Sequence, residues 1–331
     1  MTLRVALIGC GKIGSEFADD PKIDGIYSHA GAYAACRETS LVAVCDNNPA
    51  KLERCGERWN VPLRYSQPQQ MLAEQAPDIV SICTPDDTHA DLIYAALYTP
   101  GVRAILAEKP LALDSKTARK LVQVAAEKGV VLAVNYSRRY AKNHIDLKKF
   151  LQTGGIGQVQ TINGYYTKGV RHNGTHWFDL LRFLVGEVTQ VWGCDRHQEA
   201  TDDPTLDAFL RLETGASAFL HGCDAKAFSL FELDLIGERG RVRIVESGHV
   251  IEVYEVADSP YYSGYQMLTL DHKEASGMGD VLLYAVQDLV NCLTQGGQPR
   301  CSGTDGVAAL EIAQAVCESA CSGVPLRLRS I

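Results

Sequence analysis

Apolar and polar positions divide the chain into two rhythms. Over the first 134 residues, short apolar runs ("RVALIG", "LVAVCD", "DIVSICT", "RAILAEK", "VVLAVN") alternate with helical patterns such as "NPAKLERCGERW", "THADLIYAALY" and "DSKTARKLVQVAAEKG". A run that is apolar throughout is buried on both faces. Strands of that kind, separated by helices, predict a doubly wound parallel sheet of the Rossmann type, an α/β domain over 1–134. Asp114 stands where an N-cap belongs, and Gly129 where the helix should stop.

From Asn135 the rhythm changes. A helical segment from about Ser137 to Thr153 leads into "GQVQTINGYYT", and strand-like runs follow. In "SLFELDLIG", Phe231, Leu233 and Leu235 alternate with Glu232 and Asp234, so one face is buried and the other wet. "RVRIVES" and "HVIEVYEV" continue the pattern, and helices near Gly279–Gln295 and Asp305–Cys321 close the chain. This predicts an α+β domain over 135–331 with an open, mostly antiparallel sheet. One face of such a sheet suits a homodimer or homotetramer interface.

Composition narrows the class. The length of 331 residues suits two domains, and 46% hydrophobic content allows a core that needs no metal or disulfide. A formal net charge of −8 argues against a nucleic-acid partner but leaves room for an anionic small molecule. The apolar run in "MTLRVALIGC" is short for a signal peptide. No segment approaches the roughly 18 apolar residues of a membrane span. Eleven cysteines run from Cys10 to Cys321 without a CxxC, and Cys45 and Cys83 fall inside apolar strands. Buried, reduced thiols in a cytoplasmic protein are expected, with neither a disulfide framework nor a zinc site.

The candidate chemistry begins at "LIGCGKIG". Gly9, Gly11 and Gly14 have GxGxxG spacing after the first strand and are expected to open a helix. Gly9 makes the tight turn, Gly11 admits the pyrophosphate to the backbone, and Gly14 lets helix pack on strand. Lys12 and Ile13, between them, join the cofactor set. Asp46 ends the second strand, where a carboxylate accepts the adenosine-ribose hydroxyls and repels a 2′-phosphate. NAD is therefore expected rather than NADP, with Asn47 alongside. Asp46 lies farther from Gly14 than the usual roughly 20 residues. The segment "DDPKIDGIYSHA" (19–30) reads as an insertion between the first helix and the second strand, near the rim of the site. Thr84 and Pro85 end a later strand in "CTPDDTHA" and belong with the cofactor; His89 suits either a cofactor contact or a structural role.

His172 and His176 lie four apart in "RHNGTHWFD". The spacing is open to a metal site, an acid/base site or neither. Paired ligands need one helix face, yet Gly174 interrupts it and the helix is expected to start near Thr175. No HExxH glutamate or third ligand is evident, so no metal is expected. Trp177, Phe178, Leu180, Leu181 and Phe183 read as core. Tyr166, Lys168, Arg171 and Asn173 precede His176. With Arg138 they suit a cationic pocket for a carboxylate or a sugar-nucleotide phosphate, or else Lys168 and Arg171 are solvated loop charges.

"ILAEKPLAL" ends the fifth strand with Glu108, Lys109 and Pro110. The ordered set of GxGxxG, Asp46, "TPDDTH", "EKP" and "NYSRRY" resembles the glucose–fructose oxidoreductase/inositol dehydrogenase (Gfo/Idh/MocA) family, and the closing "DGVAALEIAQAV" helix fits it as well. The resemblance implies an NAD(P)-dependent oxidoreductase acting on a sugar, cyclitol or sugar nucleotide. It implies that Lys109 contacts the substrate hydroxyl and assists proton transfer. It implies that Asn135 and Tyr136 line cofactor and substrate, and that Arg138 lies near substrate; Glu108 and Lys109 are also expected at the cofactor. His176 falls on the family's histidine and is the implied general base. His172 stands where the family often has an aspartate, and is either a substrate contact or a merely polar lining residue. Two alternatives accompany this reading: a glycosidase that oxidises its sugar transiently with NAD, and a non-catalytic NAD-binding regulator.

Overall fold

Strand β1 (Leu3–Ile8) is almost wholly buried, and five more parallel strands flank it: β2 (Thr39–Cys45), β3 (Leu63–Tyr65), β4 (Ile79–Ile82), β5 (Ala104–Ala107) and β6 (Val131–Val134). The order is β3-β2-β1-β4-β5-β6. Every residue of β4 and β5 is buried, which is why those runs are apolar without alternation. Helices α1 (His29–Ala35), α2 (Pro49–Arg58), α3 (Pro68–Gln75), α4 (His89–Leu97) and α5 (Ser115–Lys128) connect the strands. Asp114 caps α5, accepting from the Thr117 N–H at 2.8 Å, and Gly129 ends it at φ +66°. The order reverses between β1 and β4, and a crevice for a dinucleotide opens at the carboxyl ends of such strands.

The computed structural model describes residues 2–196, 198 and 201–328, in two units. The first comprises Met1–Ala141 with Met278–Val307, and the second Lys142–Gly277 with Ala308–Ile331. The first unit thus takes in a late stretch of chain that a division at residue 134 leaves out.

The glycine motif does not run directly into a long helix, as the spacing led us to expect. Ser15 and Glu16 N–H groups both donate to the Gly11 carbonyl, at 2.8 and 3.1 Å, so one turn forms. The chain then leaves the helix. His29 N–H donates to the Ile13 carbonyl and Ala30 N–H to Gly14, each at 2.9 Å. They continue the series begun by Glu16 N–H to Gly11 and Phe17 N–H to Lys12, with His29 and Ala30 in the places of residues 18 and 19. The insertion therefore lies within the first helix, looping out residues 18–28, rather than after it. Without that loop, Gly14 and Asp46 return to about the 20-residue separation usual for this fold. Ser28 caps the resumed helix by accepting from Gly31 N–H at 3.2 Å. Phe17 and Tyr27 close the base of the loop edge to face, centroids 5.9 Å apart. Arg58 holds Asp19 and the Ala18 carbonyl, and Asp280 accepts from Ile26 N–H at 3.0 Å.

In the second unit, α6 (Lys142–Gln152) precedes β7 (Val159–Tyr166) and α7 (Thr175–Leu184). Helix α6 starts later than expected, because Ser137–Arg139 forms a separate short turn. The strands β8 (Val188–Cys194), β9 (Asp207–Leu212), β10 (Ser217–Gly222), β11 (Phe231–Gly237), β12 (Gly240–Val245), β13 (Val250–Asp258), β14 (Gln266–Ala275) and β15 (Leu326–Arg327) complete a nine-stranded sheet. All its pairings are antiparallel except β7 with β10. Residues of β11 alternate buried and half-buried, as "FELDLIG" predicts. The buried side packs Ile162, Leu233, Leu235 and Val242 with Trp177, Phe178 and Leu181 of α7. The opposite side carries a cross-strand row of Trp192, Phe209 and Phe219, with Trp192 53% exposed. This is the face to which the oligomer expectation applies.

The chain then adds α8 (Val281–Gln295) to the first unit. The last helix, α9 (Gly303–Ser322), starts in the first unit and continues into the second, where Ile312 and Val316 join the core. Among the described residues no helix is long and apolar enough to cross a membrane. All eleven cysteines are free; seven are buried, while Cys194 and Cys321 are exposed.

Candidate active site

A cavity of about 660 Å³ opens at the carboxyl ends of β1, β2 and β4, and Gly9, Gly11, Asp46, Asn47, Thr84 and Pro85 line it. Six residues expected at a cofactor thus share one cavity. Gly9 has φ +97°, and a Cβ there would lie 2.5 Å from the Cys83 carbonyl oxygen. A Cβ on Gly14 would lie 2.1 Å from the Gly9 carbonyl oxygen. Neither position admits a side chain, so both glycines are required by close approach rather than by turn preference alone. Asp46 accepts from the Cys10 N–H at 2.7 Å and the Asn48 N–H at 2.8 Å, which fixes its carboxylate between the glycine turn and α2. An NAD molecule fits these residues: the glycine turn suits the pyrophosphate, and Asp46 retains lone pairs for ribose hydroxyls. Lys12, by contrast, is exposed and not part of the lining, and neither Ile13 nor Gly14 reaches it. The cation in the cavity is Lys51, which the glycine pattern does not include.

A buried polar chain runs along the other half of the same sheet edge. His29 is fully buried; its Nε2–H donates to Glu108 Oε1 at 2.9 Å, and its Nδ1 faces the Ser81 hydroxyl at 2.7 Å. Asn135 Nδ2–H donates to the same Glu108 oxygen at 2.6 Å. Glu108 follows β5 directly, with its N–H bonded to Ile82 of β4, and Asn135 follows β6. The chain thus links α1 and the ends of three strands. Burial pushes the Glu108 carboxyl up, but the bonds from His29 and Asn135 and the charges of His29 and Lys109 outweigh it, so it lies below the ordinary carboxylate range. A fixed anion therefore sits one residue before Lys109, itself buried. Ser81 was visible as a lone hydroxyl in "DIVSIC". His29 was hidden, because the looped segment moves it away from the glycine motif it belongs to.

His89 lies off the lining of the cavity. It is fully buried, and its Nδ1 and Nε2 face the carbonyls of Pro110 and Thr84 at 2.6 and 2.8 Å. Its role is to tie the segment after Lys109 to the end of β4. In "NYSRRY", Tyr136 is buried, Arg138 is partly exposed, and Arg139 pairs with Asp305 at 3.0 Å.

In the second unit, Gly169–Gly174 forms a wide helical turn that runs into α7 at Thr175. The chain is therefore helical at both histidines, and Gly174 does not break it. His172 is exposed, whereas His176 is half-buried in the first turn of α7. Among the described residues no group of three or more His, Cys, Asp or Glu could hold a metal ion. Asp203 holds the turn, accepting from Arg171 N–H at 2.7 Å and His172 N–H at 2.9 Å. Two residues expected to contact substrate also make local bonds. Arg171 donates to the Asp202 carbonyl at 3.1 Å, and Asn173 to the Thr167 carbonyl at 2.8 Å. Tyr166 is fully buried, and its hydroxyl both donates to the Leu206 carbonyl and accepts from the Leu206 N–H at 2.9 Å. Lys168 is an exposed loop charge. Trp177, Phe178, Leu180, Leu181 and Phe183 are core, as expected.

Residues 3–136 match the oxidoreductase family with an NAD-binding Rossmann fold, and residues 167–328 match the C-terminal alpha/beta domain of that same family. Inositol 2-dehydrogenase of Rhizobium meliloti (strain 1021) is 26% identical, over 96% of this chain and 97% of that protein. The scyllo-inositol 2-dehydrogenase (NAD(+)) of Bacillus subtilis (strain 168) is 22% identical over 98% and 96%. The crystal structure of myo-inositol 2-dehydrogenase from Lactobacillus plantarum has the same fold, with a TM-score of 0.79 at 23% identity over 99% of this chain and all of that one. With both halves matched in order around a glycine turn, a cavity-lining Asp46 and a buried Glu108–Lys109 pair, the chain belongs to the Gfo/Idh/MocA oxidoreductase family.

Proposed function

We propose that this protein is an NAD-dependent dehydrogenase acting on a secondary alcohol of a sugar, cyclitol or sugar nucleotide, or on the matching ketone. The observation that carries the reading is the buried Glu108, held by His29 and Asn135 beside Lys109, on the same sheet edge as the glycine-lined cavity. Its relatives named as inositol dehydrogenases support the substrate class.

Bound NAD supplies the hydride acceptor. The chain supplies position and proton handling. In this reading the Lys109 ammonium lies against the reacting hydroxyl and favours its alkoxide form. His176 accepts the hydroxyl proton, a task for which histidine's ordinary pKa near 6.5 is suited. Glu108 offsets the buried Lys109 charge and is a positioning residue. Asp46 sets the preference for NAD over NADP by repelling a 2′-phosphate.

Thermal unfolding in the presence of ligands tests the reading. NAD alone should raise the melting temperature, since a ligand at 100 times its Kd adds about 2.7 kcal/mol. One class of polyol or nucleotide sugar should raise it again, and only with NAD present. No stabilisation by NAD at millimolar concentration would contradict the proposal.

A further inference from the structure

We propose that Lys51 is a phosphate-binding residue, its ammonium ion taking the pyrophosphate that the glycine turn receives. This rests on the cofactor reading above and assigns a residue that the glycine pattern does not contain. Lys51 sits in the first turn of α2 and lines the cavity. Its Nζ lies 3.7 Å from the point that a Cβ on Gly11 would occupy. Gly11 is the glycine whose missing side chain lets a pyrophosphate reach the backbone. The ammonium ion therefore stands over the place where that anion lies.

The surrounding charges leave Lys51 to a ligand. Further along α2, Arg54 and Arg58 are held by Glu16 and Asp19, and Glu53 is held by Arg64. Lys51 has no ion pair or side-chain hydrogen bond with the described residues. Among the acids of the lining Asp46 is the nearest in sequence, and its carboxylate is aimed at the N–H groups of Cys10 and Asn48. Asp87 and Asp91 are the other acids of the lining, and neither pairs with Lys51. The glycine turn contributes N–H dipoles but no full charge. Lys51 supplies that charge from the neighbouring helix. A 2′-phosphate is the competing ligand for the same ammonium, and the geometry over Gly11 favours the pyrophosphate.

Calorimetric binding of adenosine, ADP, NAD and NADP to the wild type and to Lys51→Gln separates the two. Loss of a charge-assisted contact should weaken ADP and NAD by about tenfold or more while leaving adenosine unchanged. The salt dependence of ADP binding should flatten as well. Lys51→Arg should restore most of the affinity. Equal weakening of adenosine and ADP, or weakening confined to NADP, would overturn the assignment. If wild-type protein binds none of the four ligands, the cofactor reading itself fails, and the Lys51 assignment with it.

Discussion

Lys109 and His176 are asked for different parts of one proton transfer, so their variants should agree in outcome. Replacing either by alanine should lower kcat by about 10²–10⁴. The Kd for NAD, measured by calorimetry, should change by only a few-fold. Full turnover in either variant contradicts these two roles. Glu108 offers a test that needs no substrate. Its carboxyl lies below the ordinary carboxylate value in the folded protein. A depressed group stabilises the fold at pH above its unfolded value, near 4.3 for a glutamate, and that stability is lost as pH falls through the folded value. Glu108→Gln should therefore cost stability near pH 7, on the order of 1–3 kcal/mol for a buried charged bond. The gap from wild type in urea unfolding should narrow below about pH 4. A gap independent of pH would show that the charge contributes nothing. At this scale the sequence was readable where a residue's place follows from strand position, as with Asp46 and Thr84, which both line the cavity. It was unreadable where the role depends on which way a ring points. Tyr166 and Arg171 look like pocket residues in "GYYTKGVRHN", yet the Tyr166 hydroxyl is held by Leu206, and Arg171 donates to the Asp202 carbonyl.

At the scale of elements, strand periodicity and caps carried most of the information. Asp114 and Gly129 bound α5 as expected, and the alternation in "FELDLIG" became β11. The first helix was the exception. Its continuity depends on bonds from His29 to Ile13 and from Ala30 to Gly14, residues that a local pattern keeps far apart. The same looping hid His29, whose ring completes the Glu108 network. A deletion of 18–28, joining Phe17 to His29, follows from this geometry. The helix is already bonded across the gap, so the variant should fold and bind NAD, with a melting temperature within several degrees of wild type. Loss of cooperative unfolding would mean that the loop is an integral part of the helix rather than an excursion from it.

At the scale of the whole molecule, the two rhythms of the chain correspond to a six-stranded parallel sheet and a nine-stranded mixed one. The return of Met278–Val307 to the first unit left no periodic trace, because α8 carries an ordinary helical pattern that suits either unit. Family membership covers both halves and fixes the class of chemistry. The proposed reaction stands on hydride passing directly between a polyol carbon and the nicotinamide. Mass spectrometry of the cofactor after incubation with inositols and aldoses deuterated at carbon is the decisive test. Direct transfer predicts deuterium in reduced NAD, in equal amount to the ketone formed, for at least one of these polyols. Unlabelled cofactor with every polyol, or glycoside cleavage without net reduction of NAD, would contradict it.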